Sequence, residues 1–280
     1  MLRLPSVTTL EDGHAGEHCH FGRPEFFLAL SRSPNLSFHV IPNKLYAMMT
    51  FFEAVKCSRV VYFEVSEGFE HASEYRYYRR GSSFICQFEE RHYIVTAEHV
   101  IKDSDNLTRI FMISEKDEET ILVPDCSLFI KGKDADFKDV RVFRVATDVE
   151  NTSWQEDAIP VTKNTINAGR KKLQSSGELY VSGFPGEGQE IKHNKKELRQ
   201  ERVGRWGKYD RETADYKHRM RLSPDQGIDD MGGFSGSPVL CKSETGFGLS
   251  GIAIQAGSTG IQFVDSAVLW NIFDKNKCKA

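Results

Sequence analysis

The sequence predicts an all-β protein, a barrel or sandwich of short strands, on three observations. Short runs rich in Val, Ile, Tyr and Phe recur from about residue 51 to the C-terminal region. Turn-forming Gly, Asn, Asp and Ser residues separate them at the spacing of neighbouring strands. Helical periodicity is scarce until residues 266–275.

Taken in order, residues 1–50 read as an N-terminal extension, disordered by composition. His14, His18, Cys19 and His20 cluster there, but no partner pair at structural-zinc spacing accompanies them. No metal or other cofactor is therefore expected. Met48 and Met49 stand just before the first clear structure, so the segment ahead of them is either a non-native start or a loosely packed extension. From Phe51 the pattern turns to β, and residues 51–150 hold a first set of strands. These are Val60–Val65, Tyr75–Arg80 leading into the glycine-opened Gly81–Cys86, Tyr93–Ala97, Arg109–Ile113, Thr120–Pro124, Ser127–Ile130 and Val140–Val145. Residues 151–176, punctuated by Asn151, Asn164, Asn167 and Gly169, read as a polar crossover. Residues 177–280 carry the second set: Glu178–Gly186, Val203–Tyr209, Tyr216–Leu222, the apolar run after Pro238, Phe247–Gln255 and Gly260–Val264. Asp265 can cap a closing helix over Ser266–Lys275, whose Val268, Leu269, Ile272 and Phe273 fall on one face.

The 280-residue chain is long enough to bury a substantial core, and its net charge of −3 gives no global reason to expect nucleic acid or a membrane surface as partner. The basic stretch Lys192–Arg221, interleaved with Trp206, Tyr209 and Tyr216, also carries Glu197, Glu201, Asp210, Glu212 and Asp215, so it reads as a solvated hairpin rather than a nucleic-acid site. Nothing resembles a spanning helix. Met1–Gly13 lacks the apolar core of a secretory signal and Phe26–Leu30 is too short to supply one, so a cytoplasmic location is expected. The six cysteines are scattered without a CxxC pair, as expected of buried small hydrophobes in a reducing compartment.

The chemistry concentrates at Met231-Gly232-Gly233-Phe234-Ser235-Gly236-Ser237-Pro238. A serine between glycines, fixed by a proline into a strand, has the freedom to turn backbone N–H groups toward a developing oxyanion. On its own this motif is equally a tight turn between strands. Two upstream stretches change its weight. Tyr93-Ile94-Val95-Thr96-Ala97-Glu98-His99 is a strand ending at a histidine, and Asp139-Val140-Arg141-Val142-Phe143 is a strand opened by an acid. Histidine supplies a base of suitable pKa, and an acid holds its tautomer and stabilises the imidazolium. The chain order His, Asp, Ser is one of the independent solutions to serine catalysis.

In these three motifs the sequence resembles the chymotrypsin- or trypsin-like serine peptidases, the compact bacterial kind related to the protease domain of high-temperature-requirement proteases. The resemblance covers Phe51–Phe273. It implies two six-stranded antiparallel β-barrels with the active site between them and a short C-terminal helix. His99 is then the base, Asp139 its partner, Ser235 the nucleophile, and the N–H groups of Gly233 and Ser235 the oxyanion hole. Asp229, six positions before Ser235, matches the acid at the base of a trypsin-like primary pocket, with Ala256 and Gly260 as wall residues and a preference for Arg or Lys before the scissile bond. Ile254, Gln255 and Ala256 would pair with a polypeptide substrate as an added strand.

Three positions depart from the pattern. Glu98 stands where alanine is usual and reads as solvent-facing, Arg141 stands where a small residue is usual, and Phe234 replaces an acid or amide before the nucleophile. Asp134 and Asp136 lie close enough to compete with Asp139. Phe234 argues against activation by a freshly cut N-terminus, while an unidentified activating partner stays open. The rival expectations are a catalytically silent barrel that binds extended peptides, and an esterase using the same residues.

Overall fold

Strands pair almost throughout with antiparallel neighbours, and three sheets result: one closed, one open among the described residues, and a small one of three short strands. The computed structural model describes residues 2–3, 50–64, 77–101, 110–113, 121–122, 124–128, 139–145, 153–175, 177–186, 190–192, 197–199, 201–224, 231–243 and 246–276. In chain order the elements are β1 (Leu2–Arg3), α1 (Phe51–Lys56), β2 (Ser58–Glu64), β3 (Tyr77–Phe88), β4 (Arg91–Thr96), the single turn α2 (Glu98–Ile101), β5 (Ile110–Ile113), β6 (Ile121–Leu122), β7 (Pro124–Leu128) and β8 (Arg141–Val145). A 3₁₀ turn (Ser153–Asp157), β9 (Ile159–Pro160) and α3 (Lys163–Gln174) follow. Then come β10 (Glu178–Gly183), β11 (Glu190–Lys192), β12 (Glu197–Arg199), β13 (Val203–Ala214), β14 (Lys217–Leu222), β15 (Pro238–Ser243), β16 (Gly246–Gly257), β17 (Gly260–Asp265) and α4 (Ala267–Asn276).

The C-terminal strands close into a six-stranded barrel in the order β10-β13-β14-β17-β16-β15. Its interior is a cluster of Leu179, Val181, Met220, Phe234, Val239, Ala253, Ile261 and Phe263, supplied by alternating inward positions. The N-terminal sheet differs from the expected second barrel. It runs β6-β5-β2-β3-β4-β8-β7, with β9 parallel to β3, and it is open among the described residues. Closure needs a full strand at each edge to exchange hydrogen bonds, and β6 is two residues long. The sheet is instead covered by packing: Phe273 of α4 stacks on Phe88 of β3 at 4.4 Å and lies 4.7 Å from Tyr93 of β4. Val268, Leu269, Ile272 and Phe273 are all buried, as their shared face predicts. The Asp265 carboxylate accepts the Ala267 N–H at 2.8 Å at the start of that helix.

Two helices replace expected irregular or β structure. At residues 51–56 the Thr50 hydroxyl accepts the Glu53 N–H and the Glu53 carboxylate accepts the Thr50 N–H, a capping box that starts α1 instead of a strand. Phe51 then packs against Tyr180, Trp206 and Phe247 on the barrel, with centroids 4.9, 5.7 and 5.3 Å away. The 151–176 crossover contains α3, started by Thr162, whose hydroxyl accepts the Thr165 N–H at 3.1 Å. Ile166, Gly169 and Leu173 form its buried face. A Cβ at Gly169 would lie 2.5 Å from Leu249 O, so glycine permits this close approach of α3 to β16.

Candidate active site

The site is assembled where three chain segments converge: the turn after β4, the residues opening β8, and the loop entering β15. β4 pairs with β8 with Thr96 opposite Arg141, which sets Asp139, two residues before Arg141, beside the turn that carries His99. The His99 backbone N–H donates to Asp139 Oδ1 at 3.0 Å. His99 Nδ1 lies 2.8 Å from Oδ1 and 3.0 Å from Oδ2 of the same carboxylate. With Nδ1 as the donor, Nε2 is the bare acceptor nitrogen. The hydrogen bond to Asp139 holds the His99 pKa above its ordinary value; partial burial opposes the shift and the carboxylate's charge adds to it.

The serine loop is pinned through its carbonyls. Gly232 O accepts from Gly186 N–H at 2.7 Å, Gly233 O from the Ser82 hydroxyl at 2.6 Å, Phe234 O from Ser237 N–H at 2.9 Å, and Ser235 O from Ser82 N–H at 3.0 Å. The N–H groups of Gly233, Phe234 and Ser235 have no acceptor among the described residues. Gly233 and Gly236 sit at φ 100° and 89°, in the left-handed region that glycine enters without strain. A Cβ at Gly236 would fall 1.9 Å from Ser82 O, so the close approach of the loop to β3 also requires glycine there. Phe234 is fully buried in the barrel core and anchors the loop from below.

Ser82 organises this corner, and sequence reasoning passed over it. Besides its two bonds to the serine loop, its hydroxyl accepts the Phe184 N–H at 2.8 Å and its carbonyl accepts the Thr96 hydroxyl at 2.8 Å. The available signal was the run of small residues Gly81-Ser82-Ser83 inside a strand, which marks close approach of another segment. A Cβ at the neighbouring Gly81 would touch both Val100 beside His99, at 3.0 Å, and Ser235 O, at 3.2 Å. The His99 turn and the Ser235 backbone therefore meet across one glycine. The Ser235 hydroxyl itself donates to Ile254 O at 3.2 Å, and no hydrogen bond joins it to His99 among the described residues.

The expected substrate-contacting residues divide. Asp229 lies outside the described residues, as do Asp134 and Asp136. Ile254 is buried, Gln255 is exposed, and Ala256 and Gly260 are partly exposed along the β16–β17 hairpin, with Gln255 opposite Gln262 and Ala256 opposite Ile261. β15 follows β16 only to Ile252, so from Ile254 to Gly257 the β15-side edge of β16 carries no strand among the described residues. The histidine cluster of the N-terminal segment also falls outside the described residues, and no metal-binding group of His, Cys, Asp and Glu occurs among those described.

One expectation is overturned at this corner. Glu98 does not simply face solvent: Arg141 grips its carboxylate with Nε and Nη2. Cys57, Cys86 and Cys241 are buried and Cys126 is partly buried.

Among solved structures, the chain is similar to a thermostable serine protease from an extremophilic microorganism. The match covers 81% of this chain and 100% of that one, at a TM-score of 0.51 and 13% sequence identity. The fold is that of a serine protease. No protein-family model and no curated protein matches the chain. No helix among the described residues is long and apolar enough to cross a membrane.

Proposed function

We propose that the chain is a serine endopeptidase that cleaves polypeptides through an acyl-enzyme. One observation carries the reading: in residues 232–235 every carbonyl is engaged, while the N–H groups of Gly233, Phe234 and Ser235 have no acceptor among the described residues, Gly233 and Ser235 being the pair that the family resemblance assigns to an oxyanion hole. That is the arrangement needed to hold negative charge on a substrate oxygen, and one such donor is worth about 3–4 kcal/mol in a transition state. In this mechanism the Ser235 hydroxyl leaves Ile254 O and passes its proton to His99 Nε2 as Oγ bonds to the scissile carbonyl carbon. The carbonyl π electrons move onto oxygen, which the Gly233 and Ser235 N–H groups receive. Asp139 holds Nδ1–H and stabilises the imidazolium. His99 then returns the proton to the departing amine as the C–N bond breaks, and activates water for the reverse sequence on the ester. The open edge at residues 254–257 of β16 supports an extended substrate lying as an added strand.

A preference for Arg or Lys before the scissile bond rests on Asp229. Equal turnover of Arg and Phe substrates would remove it. Burial of Phe234 at the position of the activating acid supports activity without a newly cut N-terminus. The buried, unbridged cysteines support an intracellular setting.

A second reading, a silent barrel that binds extended peptides, is favoured by one observation: the Ser235 hydroxyl is bonded to Ile254 O rather than to His99. Fluorophosphonate labelling at neutral pH separates the two. The peptidase reading expects rapid labelling of the parent and none of Ser235→Ala or His99→Ala. A folded parent that stays unlabelled points to the peptide-binding barrel.

A further inference from the structure

The two charged residues that break the pattern around His99 and Asp139 are each other's partners. Arg141 donates from Nε and Nη2 to both carboxylate oxygens of Glu98, and from Nη1 to Ser127 Oγ at 3.0 Å. Their side chains are only 22% and 28% exposed, more shielded than a surface ion pair, and the bidentate fork fixes direction as well as distance. The placement matters more than the energy. Glu98 directly precedes His99 in α2, and Arg141 follows Asp139 by two residues at the start of β8.

The turn that carries His99 is only four residues long, too short for a regular helical ladder to orient it. Besides the backbone bond from Val100 N–H to Ala97 O and the burial of Val100 and Ile101, which fix one face of the turn, two side-chain attachments tie its polar face to the β8 end: Asp139 to His99, and Arg141 to Glu98. The second attachment has an electrostatic consequence. An unpaired Glu98 carboxylate would stand one residue from the imidazole as a rival to Asp139, and an unpaired Arg141 guanidinium would stand two residues from Asp139 as a rival to His99.

We propose that the Glu98–Arg141 ion pair is a positioning clasp: it fastens α2 to β8, holds the His99 ring against Asp139, and cancels two charges that would otherwise compete for the same dyad. Glu98 and Arg141 touch no reacting atom in this role. Its catalytic consequence rests on the peptidase reading, but its structural consequence does not.

The test compares the full-length parent with Glu98→Gln, Arg141→Ala and the double variant Glu98→Gln/Arg141→Ala, each checked for folding by circular dichroism. Two readouts are taken: the low-field proton NMR signal of His99 Nδ1–H, and the rate of fluorophosphonate labelling. Each single variant is expected to broaden or shift the Nδ1–H signal and to slow labelling about ten- to a hundredfold, the scale of a small misplacement of a reacting group. The double variant is expected to be no worse than the more damaged single variant, because each unpaired charge is removed with its partner. If either single variant keeps the parent signal and labelling rate, or the two losses multiply in the double variant, the clasp is refuted. If the parent never labels, the peptidase reading falls while the NMR signal still decides the clasp. Should Arg141→Ala fail to fold, Glu98→Gln, which keeps the side chain's shape, carries the same comparison.

Discussion

At the scale of the residue, the His99–Asp139 contact makes a prediction with a definite sign. The Asp139 hydrogen bond raises the His99 pKa, and only neutral His99 can take a proton, so labelling of Ser235 should rise with pH through that raised value. Asp139→Asn should move this limb to lower pH, toward an ordinary histidine near about 6.5. The rate above the limb should fall by about 10⁴, because an amide holds the wrong tautomer. Stability follows the same linkage. A raised pKa contributes stability that is complete below the unfolded value and is lost as pH rises through the folded one. The melting-temperature gap between parent and Asp139→Asn should therefore be wider at about pH 5 than at about pH 9, and modest because His99 is substantially exposed. Gly236 is a steric counterpart. At φ 89° and with Ser82 O 1.9 Å from any Cβ, Gly236→Ala should abolish labelling by displacing the loop, and this is checked against Gly257→Ala, whose Cβ would meet Gly260 O only at an ordinary 4.0 Å. The three candidate residues were picked out because each sits in a local sequence pattern. Ser82 and the Glu98–Arg141 pair were not, because their roles are contacts across 151–153 and 43 residues of chain.

At the scale of the element, the β3–β4–β8 ladder and the β15–β16–β17 ladder are the rigid parts from which the site hangs. A buried ion pair ties β2, which pairs with β3 of the first ladder, to the crossover. Arg59 of β2, 1% exposed, donates to Asp157 of the 3₁₀ turn at 2.9 Å and also to the carbonyls of Lys56 and Ser58. Removing one member of such a pair leaves a buried charge uncompensated, so Asp157→Ala should cost about 3–5 kcal/mol in chemical denaturation. Replacing both residues by apolar ones should cost much less. Most strands of the barrel and the open sheet were read from their alternation to within a few residues, whereas the two- and three-residue strands β1, β9, β11 and β12 were not. The helices α1 and α3 were not, although Thr50-x-x-Glu53 and the Ile166/Gly169/Leu173 spacing were present. α1 is only six residues long, and Asn and Gly within α3 mask its periodicity in a polar stretch.

At the scale of the whole molecule, α4 joins the two sheets. It follows β17 of the barrel directly, yet its buried face ends in Phe273 against Phe88 and Tyr93 of the open sheet. Phe273→Ala should cost about 3–5 kcal/mol, read by denaturant unfolding, by opening a cavity where the sheet is covered rather than closed. By itself the sequence determined the β class, the capped C-terminal helix and the order of His99, Asp139 and Ser235. Those follow from side-chain alternation, a local cap and short motifs, all of which act within a few residues. Only the tertiary structure decided that one sheet closes while the other stays open among the described residues. It alone showed that four carbonyls of the serine loop are engaged while the Gly233, Phe234 and Ser235 N–H groups have no acceptor among the described residues, and that Glu98 and Arg141 pair with each other. Those outcomes depend on which distant groups meet and satisfy one another's hydrogen bonds and charges, and pairing of that kind has no signature in local order.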